Sequence, residues 1–403
     1  MKTELTADFK SSATGQRADS ILRSCVHCGF CNATCPTYQL LGDELDGPRG
    51  RIYQIKQVLE GRPATPVLQT HLDRCLTCRA CETTCPSGVE YHKLLDIGRE
   101  LVEATVPRSR PQRLLRRLIL FTFGETYRAR LLFATARLVR PLLPAKLRRR
   151  IPLAGRPAHQ QRIKASRRML LLDGCVQPAA APQINDAARA LFNRLGIELQ
   201  TVSQAGCCGT LHHHLGATDA GLDKARANID AWWPAVEQGS EAIVITASGC
   251  APMIKEYGEL LAADPVYAAR AARISALARD VSEVLEQEDL SAFKAKTPQR
   301  VAFHSPCSLQ HAQQLNGVVE SLLTRLGYSL VPVRDAHLCC GSAGTYSIFQ
   351  ATLSNELRAR KLDALQDKHP ETIATANIGC LLHLQAEADV PVRHWLELLA
   401  SSA

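Results

Sequence analysis

At 403 residues with 46% apolar side chains, the chain has the length of two or three globular domains, and it contains no run of 18 apolar residues that would cross a bilayer. Its net charge of +9 is local: residues 107–150 hold thirteen Arg or Lys against one acid, Glu125, a net of +12 that leaves about −3 elsewhere, so nucleic-acid binding by the whole surface is excluded. Sixteen cysteines are the outlying count. The opening MKTELTADFK lacks the basic patch and apolar stretch of a secretory signal, so a cytoplasmic chain with reduced, metal-binding thiols is expected, not a disulfide framework.

In chain order, residues 1–24 read as a polar lead-in ending in a short helix. A domain over 15–105 carries the first eight cysteines, with a helix from Gln54 to Leu59 after a turn at Asp46–Gly50 and another from Val89 to Val102. From Arg113 to Val139 the apolar residues Leu114, Leu118, Phe121, Leu131 and Leu138 recur at helical spacing with arginines between them, until Pro141 and Pro144 break the helix. Residues 106–164 are therefore expected to form a basic amphipathic linker, with Arg148–Arg162 irregular. Beyond 165 the texture becomes alternating strand and helix. Met169–Leu172, Ala242–Thr246, Arg300–Phe303 and Thr372–Thr375 are short apolar runs of the buried parallel-strand kind.

The runs CVHCGFCNATCP and CLTCRACETTCP both fit C-x2-C-x2-C-x3-C-P. That spacing wraps three thiolates around one cubane and sends the fourth to its partner. Cys25, Cys28, Cys31 and Cys85 are thus expected to hold one [4Fe–4S] cluster, and Cys75, Cys78, Cys81 and Cys35 the other. Zinc knuckles use two C-x2-C pairs or include His, and do not need three cysteines within seven residues plus a fourth. Interleaved ligation holds two clusters close together, as a relay requires.

The second half repeats itself. Cys175, Cys207, Cys208 and Cys250 recur as Cys307, Cys339, Cys340 and Cys380, offset by 132 residues for the first three and 130 for the last, and Gly209 and Gly341 follow the two pairs. Each set has one cysteine at a strand end, a vicinal pair in a loop and a fourth cysteine beyond another strand. Loops beyond the carboxyl ends of parallel strands converge on one crevice, so four thiols per repeat should meet there. Three readings stay open at these thiols: a further iron–sulfur cluster or another metal such as zinc, a redox-active vicinal disulfide, and small buried hydrophobes of a duplicated core. The fold class expected is α+β multidomain, a helical ferredoxin-like two-cluster domain followed by duplicated α/β domains over 165–290 and 298–400.

With its paired cysteine runs, Gly47-Pro48-Arg49-Gly50-Arg51-Ile52, His304-Ser305-Pro306-Cys307-Ser308-Leu309-Gln310-His311 and Ala247-Ser248-Gly249-Cys250, the chain from about residue 20 onward resembles the iron–sulfur subunits of bacterial glycolate oxidase. More distantly it resembles subunits of anaerobic glycerol-3-phosphate dehydrogenase, lactate utilisation proteins and heterodisulfide reductase. The resemblance implies two Cys-Cys-Gly domains and a complex with FAD-containing subunits that oxidise glycolate and pass electrons to quinone or the respiratory chain. Lactate or glycerol-3-phosphate as substrate, or disulfide reduction at the Cys-Cys-Gly sites, are the rival readings. In the heterodisulfide reductase relatives each module ends in C-x-x-C; here Ala247 and Asn377 replace the first of those cysteines, so the five-cysteine ligand set of those relatives is incomplete in both modules and the identity of any metal there stays open.

Neither G-x-G-x-x-G nor a P-loop occurs, so no catalytic residue is assigned to this chain and hydride chemistry is expected on a partner. His212, His213 and His214 after the first vicinal pair, and His304, His311 and His337 around the second group, are candidates for a metal ligand or proton carrier, but read better as exposed or locally hydrogen-bonded loop histidines. Residues 107–150, through Arg113, Arg116, Arg117 and Arg128, are expected to lie on an anionic membrane surface, peripheral to the cytoplasmic face of the inner membrane, or to dock an acidic partner.

Overall fold

A computed structural model describes residues 1–144, 148, 151, 152, 165–295 and 297–402; most of the expected Arg148–Arg162 linker lies outside them. The first hundred residues are helical. Pro48–Leu59 and Tyr91–Thr105 cross at Gly98, where an added Cβ would lie 2.7 Å from Ile55, and Leu22, Ile55, Leu72, Leu94 and Leu95 fill the core between helices. The expected turn at Asp46–Gly50 is half wrong. Pro48 occupies the first helical turn, where its missing N–H costs nothing and its fixed φ suits the helix, so the helix begins six residues before Gln54.

Two four-stranded parallel sheets follow, in the orders β2-β1-β3-β4 and β6-β5-β7-β8. The first comprises β1 (Arg167–Leu172), β2 (Ile197–Gln200), β3 (Ile243–Ile245) and β4 (Ala278–Asp280). The second comprises β5 (Arg300–His304), β6 (Ser329–Leu330), β7 (Thr372–Thr375) and β8 (Val392–His394). Apolar runs arise because both sheet faces are covered: Met169 and Leu171 enter one core, Leu170 and Leu172 the core on the other face with Ile229 and Trp232. The core holding Met169 continues into the second module through Val301, Phe303 and Trp395, so the modules share apolar interior. Their strand ends also bond directly, with His394 Nε2 3.0 Å from the Thr246 carbonyl and the Ser248 N–H donating to the Ala376 carbonyl at 3.2 Å.

The basic segment is two helices, Arg110–Phe123 and Thr126–Val139, not the single helix that periodicity suggests. They break at Gly124, which packs so closely on His212 that an added Cβ would lie 2.9 Å from its ring. The apolar stripe faces outward: Leu114 is 70% exposed, Leu131 65% and Leu138 80%.

Candidate iron–sulfur centres

In each ferredoxin run the chain winds back through left-handed residues at matching places, His27 (φ 59°) and Gly29 (φ 85°) in the first, Thr77 (φ 54°) and Arg79 (φ 59°) in the second. Three of the four carry side chains that disfavour this region, and the strain turns backbone N–H groups toward the thiols. The Thr77 N–H points at Cys75 Sγ at 3.4 Å, and just past the second run the Val89 N–H, after the left-handed Gly88 (φ 61°), points at Cys85 Sγ at 3.5 Å. Gly29 and Arg79 then cap the short helices Phe30–Ala33 and Ala80–Thr83, which carry Cys31 and Cys81.

The result is two cavities sharing a wall of Pro48, Cys81 and Tyr91. One is lined by Cys25, Cys28, Cys31 and Cys85; the other by Cys35, Cys75, Cys78 and Cys81. Each is thus lined by cysteines of both runs.

Arg51 is the residue that spacing did not single out. Its side chain is wholly buried beside the second cavity, with Nη1 4.0 Å from Cys35 Sγ, Nε donating to the His71 carbonyl at 2.8 Å and Nη2 donating to Thr37 Oγ1 at 3.1 Å. Asp46 completes the network, 3.4 Å from Arg51, 3.0 Å from His71 and 2.8 Å from Arg74. Burial opposes the guanidinium's charge, but Cys75, Tyr91, Cys35 and Asp46 outweigh it and hold the group protonated. A fixed cation against a thiol-lined cavity fits an anionic cluster, whose charge would otherwise stand unopposed in a low dielectric. The available signal was the Gly-Pro-Arg-Gly-Arg stretch itself, an arginine on the inner face of a short helix.

In both modules the thiols gather at the carboxyl ends of the strands. Cys175 follows β1, Cys207 and Cys208 follow β2 and Cys250 follows β3; in the first module Cys207 Sγ accepts the Gly209 N–H at 3.5 Å and Cys208 Sγ lies 3.1 Å from Thr210 Oγ1. Hydrogen bonds from Cys207, Cys250 and Thr210 hold the Cys208 thiol well below its ordinary value against burial. In the second module Cys307 lies 3.9 Å from Cys339, and Cys340 meets Cys380. There the bond with Cys339 lowers Cys340, but Cys380 and burial push it well above the ordinary range.

The modules meet the ferredoxin-type domain differently. Cys78, Leu76, Cys307, Cys339 and Tyr346 form one apolar cluster, which places the wall of the second cavity against the second module's thiols. Burial, and then Cys307, push the Cys78 thiol well above its ordinary value. The first module is held by ion pairs, His213–Asp96 at 3.1 Å, Arg79–Glu256 at 2.7 Å and Lys93–Glu259 at 2.7 Å.

The histidines expected as exposed loop residues are largely interface residues. His213 pairs with Asp96, His212 and His304 are buried, and His214 is pushed down to about 4 by burial. His311 bridges domains, its Nε2 donating to the His337 carbonyl at 2.8 Å and its Nδ1 2.9 Å from Thr83 Oγ1. Among the arginines assigned to a membrane face, Arg116 is turned inward onto the Leu215 carbonyl at 3.2 Å and Asp73 at 3.5 Å, so it is a packing residue. Arg128 stacks on Phe121, 3.7 Å from the ring centre.

Comparison with known proteins matches the 4Fe-4S dicluster domain family over residues 21–89 and the cysteine-rich domain family twice, over 169–255 and 301–385. The glycolate oxidase iron-sulfur subunit of Escherichia coli (strain K12) is 52% identical, covering 99% of this chain and 98% of that protein. The probable glycolate oxidase iron-sulfur subunit of Bacillus subtilis (strain 168) is 31% identical across 90% of this chain and 88% of its own length. A crystal structure of a hypothetical protein from Helicobacter pylori shares the fold at a TM-score of 0.55 and 10% identity, covering 98% of this chain and 74% of that one.

Proposed function

The chain belongs to the family of glycolate oxidase iron–sulfur subunits, and on that premise we propose how its residues serve electron transfer in such a complex. It is the electron-transfer subunit of an oxidoreductase, and glycolate is oxidised on a flavin-bearing partner. Cys25, Cys28, Cys31 and Cys85 hold one [4Fe–4S] cluster, and Cys75, Cys78, Cys81 and Cys35 the other. A bound cluster supplies one-electron transfer, which can empty a reduced flavin but cannot take a hydride from an alcohol carbon. Arg51 opposes the negative charge of the second cavity, and the left-handed backbone of each run directs N–H groups at sulfur. Leu76 and Tyr346 close the side toward the second module and keep water out. The observation that carries this reading is the pair of thiol-lined cavities sharing Pro48, Cys81 and Tyr91.

The partner is an FAD-containing subunit that oxidises glycolate, and electrons leave toward quinone. The outward apolar stripe of residues 110–139, flanked by the exposed Arg113, Arg117 and Arg130, suits an anionic lipid surface. Rapid mixing tests the division of labour: glycolate should leave the visible absorbance of the purified chain unchanged, and should bleach it once the flavoprotein is added. Bleaching by glycolate without flavoprotein would refute it. Binding to vesicles of anionic lipid should weaken in Arg113→Gln/Arg117→Gln/Arg130→Gln, by about 1 kcal/mol per residue at low salt; unchanged binding would return this face to partner docking.

A further inference from the structure

His304 ends β5 in the crevice of the second module and is 2% exposed, yet both of its ring nitrogens are buried without a hydrogen-bond partner. The fold can satisfy a buried imidazole: His394, also fully buried, sits 3.0 Å from the Thr246 carbonyl through Nε2 and accepts the Leu396 N–H at 3.3 Å through Nδ1. What His304 has instead is thiols. One of its ring nitrogens, Cys340 Sγ and Cys380 Sγ all lie within 4.8 Å of one another, and all three residues are buried.

We propose that the second Cys-Cys-Gly module binds a metal through His304, Cys340 and Cys380, a mixed imidazole–thiolate site whose strand-end histidine the first module lacks. The ligand class is a borderline-soft divalent transition ion, zinc or iron(II), because thiolate and imidazole together suit these ions and exclude magnesium and calcium. Tetrahedral ligation at about 2.0 Å to nitrogen and 2.3 Å to sulfur needs donor atoms about 3.5–3.8 Å apart, so the three need close by no more than about an ångström on binding. Asn377 Nδ2 already donates to Cys380 Sγ at 3.5 Å and orients it. The first module has Leu172 where the second has His304, at the same 132-residue offset as Cys175 and Cys307. Register agrees, since Leu172 pairs with Ile245 of β3 and His304 with Thr375 of β7.

The proposal rests on the reading of the chain as a reduced-thiol metal protein, and its test separates the two. Full-length protein, dialysed anaerobically against a mild chelator and titrated with Co2+, should take up the ion with thiolate charge-transfer bands and an imidazole signature in X-ray absorption. His304→Leu, the residue type of the first module, should weaken Co2+ binding at least about tenfold and remove that signature. His304→Cys should restore tight binding with sulfur in place of nitrogen. Iron and acid-labile sulfide of the ferredoxin-type domain serve as the folding control, and their absence from the wild-type protein would fault the proposed function instead. Elemental analysis of the undialysed protein distinguishes zinc from iron. Undiminished Co2+ binding by His304→Leu, or a wild-type spectrum without nitrogen, overturns the site. Should His304→Leu lose its ferredoxin iron, the wild-type spectrum and His304→Cys decide.

Discussion

The two Cys-Cys-Gly modules share sheet order, thiol placement and a left-handed glycine after the vicinal pair, yet they differ wherever chemistry is decided. The first offers Leu172 at its strand end and Ala247 before its last cysteine, and joins the ferredoxin-type domain through ion pairs. The second offers His304 and Asn377 and presses its thiols against Cys78. Asn228, in the helix after the first pair, donates to the Cys207 carbonyl at 2.9 Å; in the corresponding helix of the second module the buried Lys361 donates to the Asp335 carbonyl at 2.8 Å. The two modules share the sheet order that gathers four thiols at the strand ends, and they differ in the side chains around those thiols. The first module has become a polar docking platform, and the second a neighbour of the second cavity.

The largest effect that would sharpen this contrast comes from Cys78→Ala set against Cys28→Ala. Each should remove about half of the ferredoxin iron. Only Cys78→Ala should also speed the alkylation of Cys307, because Cys78 packs against the second module while Cys28 is exposed. Equal alkylation in both variants would break the comparison.

A smaller effect tests the sameness of the scaffolds. An added Cβ would lie 2.6 Å from the Gly221 carbonyl oxygen at Gly209 (φ 93°) and 2.7 Å from the Ser354 carbonyl oxygen at Gly341 (φ 87°). Gly209→Ala and Gly341→Ala should therefore each cost about 2–4 kcal/mol, from strain and overpacking together, in thermal or denaturant unfolding. A cost confined to one of them would mean that the scaffolds are not equivalent.

The smallest concerns the polar seam. Burial opposes both charges, but the His213–Asp96 bond holds Asp96 down at about 2 and raises His213 above 6.5. The carboxylate's share of stability is complete above its ordinary 3.8 and is lost as pH falls toward 2. The imidazolium's share is complete below 6.5 and is lost as pH rises through the raised value. Asp96→Asn should cost about 1.5 kcal/mol at pH 6 and less at pH 9, measured by unfolding at each pH. An equal cost at both would show that His213 is uncharged there.

Legibility in the sequence followed the range of the interaction. Cysteine spacing marked the ferredoxin runs and the duplication because those patterns are local, and Thr372–Thr375 reads as a strand from its own composition. The helix start at Pro48 is not legible, because Gly-Pro signals a turn as readily as a helix start and the sequence around it does not say which. Gly124 divides the basic helices through contact with His212, 88 residues away, and the outward face of Leu114 and Leu138 inverts the usual inference from an apolar stripe. The Cys78–Cys339 packing, the Asp96–His213 pair and the burial of His304 join segments far apart in sequence and leave no local periodicity. Arg51 was visible in its motif, but that it lies beside the thiols depends on how Pro48–Leu59 packs.

The most direct measurement of the central claim, two clusters each held by cysteines of both runs, is electron paramagnetic resonance of the anaerobically reduced full chain in Cys85→Ser and Cys35→Ser. The account predicts that Cys85→Ser perturbs the same signal as Cys28→Ala, and that Cys35→Ser perturbs the signal lost in Cys78→Ala. If Cys85→Ser instead altered the signal that depends on Cys78, each run would hold its own cluster, and the crossed arrangement proposed here would be wrong.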